Sequence, residues 1–194
     1  KSTLINLIPR FYDVTEGSIR IDGIDVRKFN LKALRKKIGF IRQKNLLFTG
    51  TIKSNIKFGK PHATHDEVEH SAKIAQAYDF ISNKEKGFDE PISEGGSNVS
   101  GGQKQRLSIA RALVRKPEIY IFDDSFSALD FKTDAILRKA LKKETTDAIV
   151  LIVAQRIGSI MDADKIIVLD EGKVVGVGKH KELLKTCNVY HEIA

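Results

Sequence analysis

The chain has 194 residues, 41% of them hydrophobic and 30% charged, with a formal charge of +8 and a single cysteine. That length suits one domain, or one domain with a small helical insertion, and is enough to bury a real core. No run of about 18 apolar residues occurs, so no segment reads as a membrane-crossing helix, and the first residues do not read as a signal peptide. Cys187 alone cannot form an internal disulfide, which fits a reducing compartment and excludes a cysteine-based metal site. The lysines are scattered through "RKFNLKALRKK", "LKKETT" and "GKHKELLK" without aromatic interleaving. This reads as a solvated surface rather than a nucleic-acid footprint, and no nucleic-acid partner is expected.

In chain order, "KSTLINLIPRFY" opens as an amphipathic helix start, followed by an alternating strand, "GSIRIDG", closed by Asp22-Gly23. Asn30 can cap a short helix, "LKALRKK", which leads into an apolar strand, "IGFIRQ", ending at Gln43. "TGTIKSNIKFG" reads as a short helix. The segment from Thr64 to about Asn83 is the clearest helical block, with a capping box from Thr64 and Glu67 and apolar positions at helical spacing. A Gly-rich loop, "SEGGSNVSGGQ", precedes a long helix, "QKQRLSIARALVRK", stopped before Pro117.

Beyond it the pattern predicts strand, helix, strand, helix and strand over 118–123, 131–143, 148–153, 156–162 and 165–169. Glu171-Gly172 then turns into a further strand, "KVVGVG", and a C-terminal helix, "HKELLKT". Alternating strands and helices imply a parallel sheet covered on both faces. The helix-rich middle, roughly 44–115, interrupts that alternation and is expected to be a helical subdomain within a single domain spanning 1–194.

Three stretches carry chemistry. Lys1-Ser2 is a common dipeptide, but directly before a helix it fits the tail of G-x-x-x-x-G-K-[ST], whose backbone N–H groups cradle phosphates. In "VSGGQKQR", Ser100 with Gly101 and Gly102 at a helix start exposes several N–H donors beside a hydroxyl, an anion-binding arrangement. A plain N-cap with a flexible entry accounts for those three residues. It does not account for the order Gln103, Gln105, Arg106, or for the apolar strand ending in a carboxylate seventeen residues later. That strand, "IYIFDDSFSALD", delivers Asp123 to a sheet edge and places a second carboxylate, Asp124, next to it.

These residues resemble the nucleotide-binding domain of an ABC transporter from end to end. "KSTL" resembles the end of the Walker A loop, "IRQKNLLFTGTI" the Q-loop and "VSGGQ" the family signature. "IYIFDD" resembles the Walker B strand, "SALD" the D-loop and "VAQRI" the switch loop. "LIPRFYDVTEGSIRIDG" and "FDEPISEGGSNVSGGQ", with Glu94 as its acidic residue, narrow the likeness to exporters.

The resemblance implies an α/β fold of the P-loop NTPase (ABC ATPase) class, with a mostly parallel sheet core flanked by helices and a helical subdomain. It implies ATP and Mg2+ as cofactors, with the start of the Walker A loop and the first strands lying ahead of Lys1. Lys1 would hold the β and γ phosphates, Ser2 the Mg2+, and Thr3 would lie near the α-phosphate. Gln43 would contact Mg2+ or the lytic water, and Asp123 would hold Mg2+ through water. Ser100, Gly101, Gly102 and Gln103 would bind the γ-phosphate of a nucleotide held by an opposite subunit, with Asp130 between the two sites. The implied partners are a transmembrane domain on the same polypeptide and a second nucleotide-binding domain, at the cytoplasmic face of the cell membrane.

Two positions depart from the family pattern, and both are catalytic. Asp124 stands where the family has a glutamate base, and Gln155 where it has a histidine. Aspartate is shorter by roughly 1.5 Å, while a base must lie within about 3 Å of its water. A displacement of about 1 Å can cost on the order of 100-fold. Gln155 can donate a hydrogen bond but cannot become cationic. The pairing is similar to the degenerate half of a heterodimeric exporter, whose own site binds ATP but turns over slowly. A homodimer slow at both sites, or a regulatory ATP-binding module, are the alternatives.

Overall fold

The computed structural model describes residues 1–194. Its frame is a three-stranded parallel sheet of β3 (Ile38–Ile41), β6 (Ile119–Asp123) and β7 (Ile149–Val153), in the order β3-β6-β7. The central strand explains itself. All five residues of β6 are buried, and successive side chains feed opposite clusters. Tyr120 and Phe122 join a 24-residue cluster on one face. Ile119 and Ile121 join Ile5, Val26, Leu34 and Ile38 on the other. A strand buried on both faces needs an unbroken apolar run, and "IYIF" supplies it.

The smaller cluster is roofed by α1 (Ser2–Asn6), α2 (Leu31–Lys36) and a hairpin of β1 (Arg20–Ile21) and β2 (Ile24–Asp25). The hairpin turns through Asp22 and Gly23, at φ 52° and 76°. Two left-handed residues in a row make the tight turn whose twist matches the strands it joins. Asn30 caps α2, accepting from the N–H groups of Lys32 and Ala33 at 3.0 and 3.2 Å.

The larger cluster is covered by α3 (Ile52–Lys57), α4 (His65–Ile74), α5 (Tyr78–Ser82), α6 (Gly101–Leu113) and α7 (Phe131–Glu144). A short antiparallel pair, β4 (Gly50–Thr51) with β5 (Pro91–Ile92), ties this region together. The C-terminal part is an antiparallel hairpin, β8 (Ile166–Asp170) and β9 (Lys173–Gly178), packed on α8 (His180–Thr186) and α9 (Asn188–Glu192). Cys187 is free and buried there.

Several expectations need correction. The predicted strand over 38–43 ends at Ile41, because Arg42 and Gln43 turn toward solvent at the sheet edge. The helical block from Thr64 to Asn83 carries its capping box but is two helices. Gln76, at φ 56°, breaks it after Ala75. The predicted helix over 156–162 is a single 3-10 turn at Ile157–Ser159, and "GSIRIDG" forms only the two-residue β1. The helix predicted from Gln103 begins two residues earlier and ends at Leu113. β8 pairs with β9 rather than with β7, so the parallel part of the sheet is three strands wide.

Candidate functional site

The site lies at the C-terminal edge of the parallel sheet, where open α/β folds bind ligands. In the ladder Ile41 lies opposite Phe122, and Phe122 opposite Ile152. The residues just beyond those three strands therefore emerge side by side. They are Gln43 after β3, Asp123 and Asp124 at the end of β6, and Gln155 after β7.

Asp123 is nearly buried. Its Oδ1 accepts a 2.8 Å hydrogen bond from the Oγ of Ser2, which α1 brings across 121 positions of sequence. Lys1 caps α1 by its carbonyl, and its exposed Nζ lies 3.5 Å from the carbonyl of Ala154. Thr3 is exposed on the first turn. Behind Asp123, the fully buried Ser125 donates to the carbonyl of Ile41 at 2.9 Å and pins the turn to β3.

Asp124 has φ 49°, in the left-handed region. Aspartate occupies this region more readily than longer residues, because its short carboxyl bonds locally. Its own N–H still donates to the carbonyl of Val153 at 2.9 Å, extending the β6–β7 ladder by one bond while the side chain swings outward. There its Oδ2 accepts from the amide of Gln43 and from the amide of Gln155, each at 2.8 Å. Two neutral donors from neighbouring strands thus converge on one carboxylate oxygen. The carbonyl of Asp124 accepts from the hydroxyl of Ser127 at 2.9 Å, which closes the turn.

Lys1, Ser2, Gln43, Asp123, Asp124 and Gln155 therefore gather in one corner. Ser100, Gly101, Gly102 and Gln103 do not bond to it. They start α6 as a capping box, the Ser100 Oγ accepting from the Gln103 N–H at 3.2 Å and the Gln103 Oε1 from the Ser100 N–H at 3.1 Å. A Cβ on Gly102 would lie 3.3 Å from the carbonyl of Ala128, so this glycine lets α6 sit against the turn that follows β6. Asp130 caps α7, accepting from the Thr133 N–H at 2.9 Å. The bonds from Thr133 hold its carboxyl below the usual aspartate range.

Some residues around the corner carry no sequence signal. Ser125 and Ser127 look like ordinary turn serines. Arg156 donates to the carbonyl of Ser127 at 3.5 Å and stacks its guanidinium 5.1 Å over the Phe131 ring, linking the loop after β7 to the start of α7. Arg111 lies against the packed rings of Phe48 and Phe58 and donates to Leu46 O, Asn55 O and Asn55 Oδ1 at 2.8–3.0 Å. Burial pushes its pKa down to about 10, still far above neutrality.

No group of three or more His, Cys, Asp or Glu converges on a metal-sized point. The hydroxyl and carboxylate oxygens of Ser2 and Asp123 are hard donors, and so sparse a set fits Mg2+, which keeps waters and takes substrate phosphates as its other ligands.

Three comparisons with known proteins place the chain in a family. Residues 1–127 match the family described as ABC transporter. Putative multidrug export ATP-binding/permease proteins of Staphylococcus aureus, in strains NCTC 8325 and COL among others, are 48% identical over 193 residues. They cover 100% of this chain, which spans 33% of their length. The structure of a bacterial Atm1-family ABC exporter with ATP bound superposes with a TM-score of 0.97 at 39% identity. That match covers 100% of this chain and 34% of the solved one. With a Ser2–Asp123 corner at the sheet edge, a serine-capped signature helix and a family match over most of its length, the chain belongs to the ABC transporter family.

Proposed function

We propose that this chain is the ATP-binding and ATP-hydrolysing domain that powers substrate export across a membrane, with a slow site of its own. Its Ser100–Gln103 segment completes the site of a second, non-identical nucleotide-binding domain. The observation that carries the reading is the convergence of Gln43 and Gln155 on Oδ2 of Asp124. To take a proton through that oxygen, Asp124 must release neutral donors worth about 1 kcal/mol each. The carboxyl also sits one methylene short of a glutamate, and Gln155 cannot charge as negative charge develops on the phosphoryl oxygens. Each effect slows hydrolysis, and none removes the groups that hold the nucleotide.

In this reading Lys1 holds the β and γ phosphates of ATP, and Thr3 lies near the α-phosphate. Ser2, Asp123 and Gln43 hold Mg2+, which supplies positive charge against the phosphates when bound. Gln43 reports occupancy by exchanging its bond to Asp124 for one to the nucleotide side, and Asp130 stands between the paired sites. Residues 44–115 form a helical subdomain of one domain spanning 1–194. The 24-residue cluster that runs from α3–α6 into β6 supports that division as internal to a single core.

The Staphylococcus aureus relatives are ATP-binding/permease proteins about three times as long, which supports a transmembrane domain on the same polypeptide and a place at the cytoplasmic face of the membrane. No helix here is long and apolar enough to cross a membrane. The cleft of about 410 Å3 lined by Phe40, Phe48, Phe58, Arg42 and Arg111 offers the apolar and cationic contacts such a domain needs.

The test is the ATPase activity of the reconstituted transporter. Asp124→Asn is expected to leave most turnover, while Gln replacement of the partner's catalytic glutamate removes it. The reading fails if Asp124→Asn abolishes most turnover and the partner change is mild. Equal, partial losses from one kind of subunit would point instead to a homodimer slow at both sites.

A further inference from the structure

We propose that Gln105 is a positioning residue that fastens the loop bearing Gln43 to the helix bearing Ser100, so that the seat of Gln43 on Asp124 sets the placement of the signature. That a displaced Ser100 would disturb a second nucleotide site rests on the function proposed above; the tie between loop and helix does not.

Gln105 lies on α6 one turn after the Ser100 cap and is 2% exposed, unusual for a glutamine. Its Oε1 accepts a hydrogen bond from the Nδ2 of Asn45, sixty positions away and two residues beyond Gln43. The loop is clipped to the same helix a second time, by the guanidinium of Arg111, which donates to the carbonyl of Leu46 at 3.0 Å and stacks 5.1 Å over Phe48. Gln105, Ser108 and Arg111 are spaced three apart, so they form one face of α6 turned to this loop.

Gln43 and Asn45 thus face opposite ways along one short segment, the first bonded to Asp124 and the second to α6. Any shift of Gln43 away from Asp124 pulls on Gln105, and α6 is a rigid rod whose N-terminus is Ser100. The Nε2 of Gln105 and the Oγ of Ser108 are buried without a partner on that same face. Unpaired buried polar groups weaken a packing that serves stability alone. A methionine at 105 would fill the same space without that cost, but also without the bond to Asn45.

The experiment uses the full transporter in membranes and compares Gln105→Met, Asn45→Ala and the double variant. Gln105→Met keeps the volume and removes both the acceptor and the unpaired donor. The expected result is a fall in kcat of about fivefold, the worth of one hydrogen bond, with KM for ATP within about twofold. Tm is expected to stay level or rise in Gln105→Met, since an unpaired amide has gone. Backbone hydrogen exchange over residues 43–48 is expected to speed up by a similar factor without ATP, with β6 unchanged. The double variant should lose no more than either single one, as members of one link do.

A kcat left intact, a loss confined to KM, additive losses, or unchanged exchange at 43–48 would each overturn the proposal. Ser100→Ala separates the two claims. If it leaves turnover untouched while exchange at 43–48 still responds to Gln105→Met, the tie stands and the completed second site falls.

Discussion

At the residue scale, the proposed chemistry turns on three neighbouring side chains and their reach. Asp124 holds a left-handed backbone and offers Oδ2 to two glutamine amides. Restoring the longer acid and the ionisable donor should speed this site: Asp124→Glu with Gln155→His is expected to raise its turnover about tenfold or more. Single-turnover measurements with the partner site silenced would read it. Asp123→Asn keeps the shape but loses the charge, and should weaken Mg2+-dependent nucleotide binding far more than binding without metal. A titration with and without Mg2+ distinguishes the two.

Asp130 gives a pH test. The bonds from Thr133 depress its pKa in the folded chain. A depressed carboxylate contributes stability that is full above the unfolded pKa and is lost as pH falls through the folded one. Wild type should therefore outlast Asp130→Asn in thermal melts near neutrality, and the difference should vanish below the ordinary aspartate range.

At the element scale, the site depends on how β6 ends. Ser125 is fully buried and bonds to the carbonyl of Ile41. Ser125→Ala strands that carbonyl and should cost about 1–2 kcal/mol, read as a lower denaturant midpoint. Because the bond fixes the turn carrying Asp124 against β3, Mg2+-ATP binding should weaken in parallel. Phe122→Ala opens the centre of the larger cluster and should cost about 4 kcal/mol. The α4 cap was legible from sequence, since Thr64 and Glu67 are three apart and satisfy each other's backbone locally. The break after Ala75 was not legible. The periodicity of 64–83 continues through it, while the left-handed Gln76 offers its carbonyl to Arg106 from α6, a partner remote in sequence that also stacks on the Phe80 ring.

At the scale of the whole molecule, the Ser100–Gln103 segment and the corner at the sheet edge are separate. Ser100–Gln103 cap their own helix, while Ser2 bonds to Asp123 and both Gln43 and Gln155 bond to Asp124. A surface pairing of two such chains is what would bring a signature to a corner. Sedimentation of an equimolar mixture with a competent partner should show ATP-promoted association that Ser100→Arg abolishes. Asp124→Asn should leave it intact, because that substitution changes hydrolysis and not the cradle.

The sequence by itself determined the class of fold and the kind of chemistry. A short apolar run such as "IYIF", rich in β-branched and aromatic residues and followed by a polar turn, fits a central strand buried on both faces. Short motifs such as "VSGGQ" and "IYIFDD" carry their own caps, donors and charges within a few residues. What only the tertiary structure decided are the contacts between segments far apart in the chain: Ser2 on Asp123, both glutamines on one oxygen of Asp124, Asn45 on Gln105. These depend on strand register and helix packing, which sum many weak interactions across the core and leave no local pattern. Lys1-Ser2 marks the difference. As a dipeptide it carries almost no information; at 2.8 Å from Asp123, its serine becomes one half of a polar corner at the sheet edge.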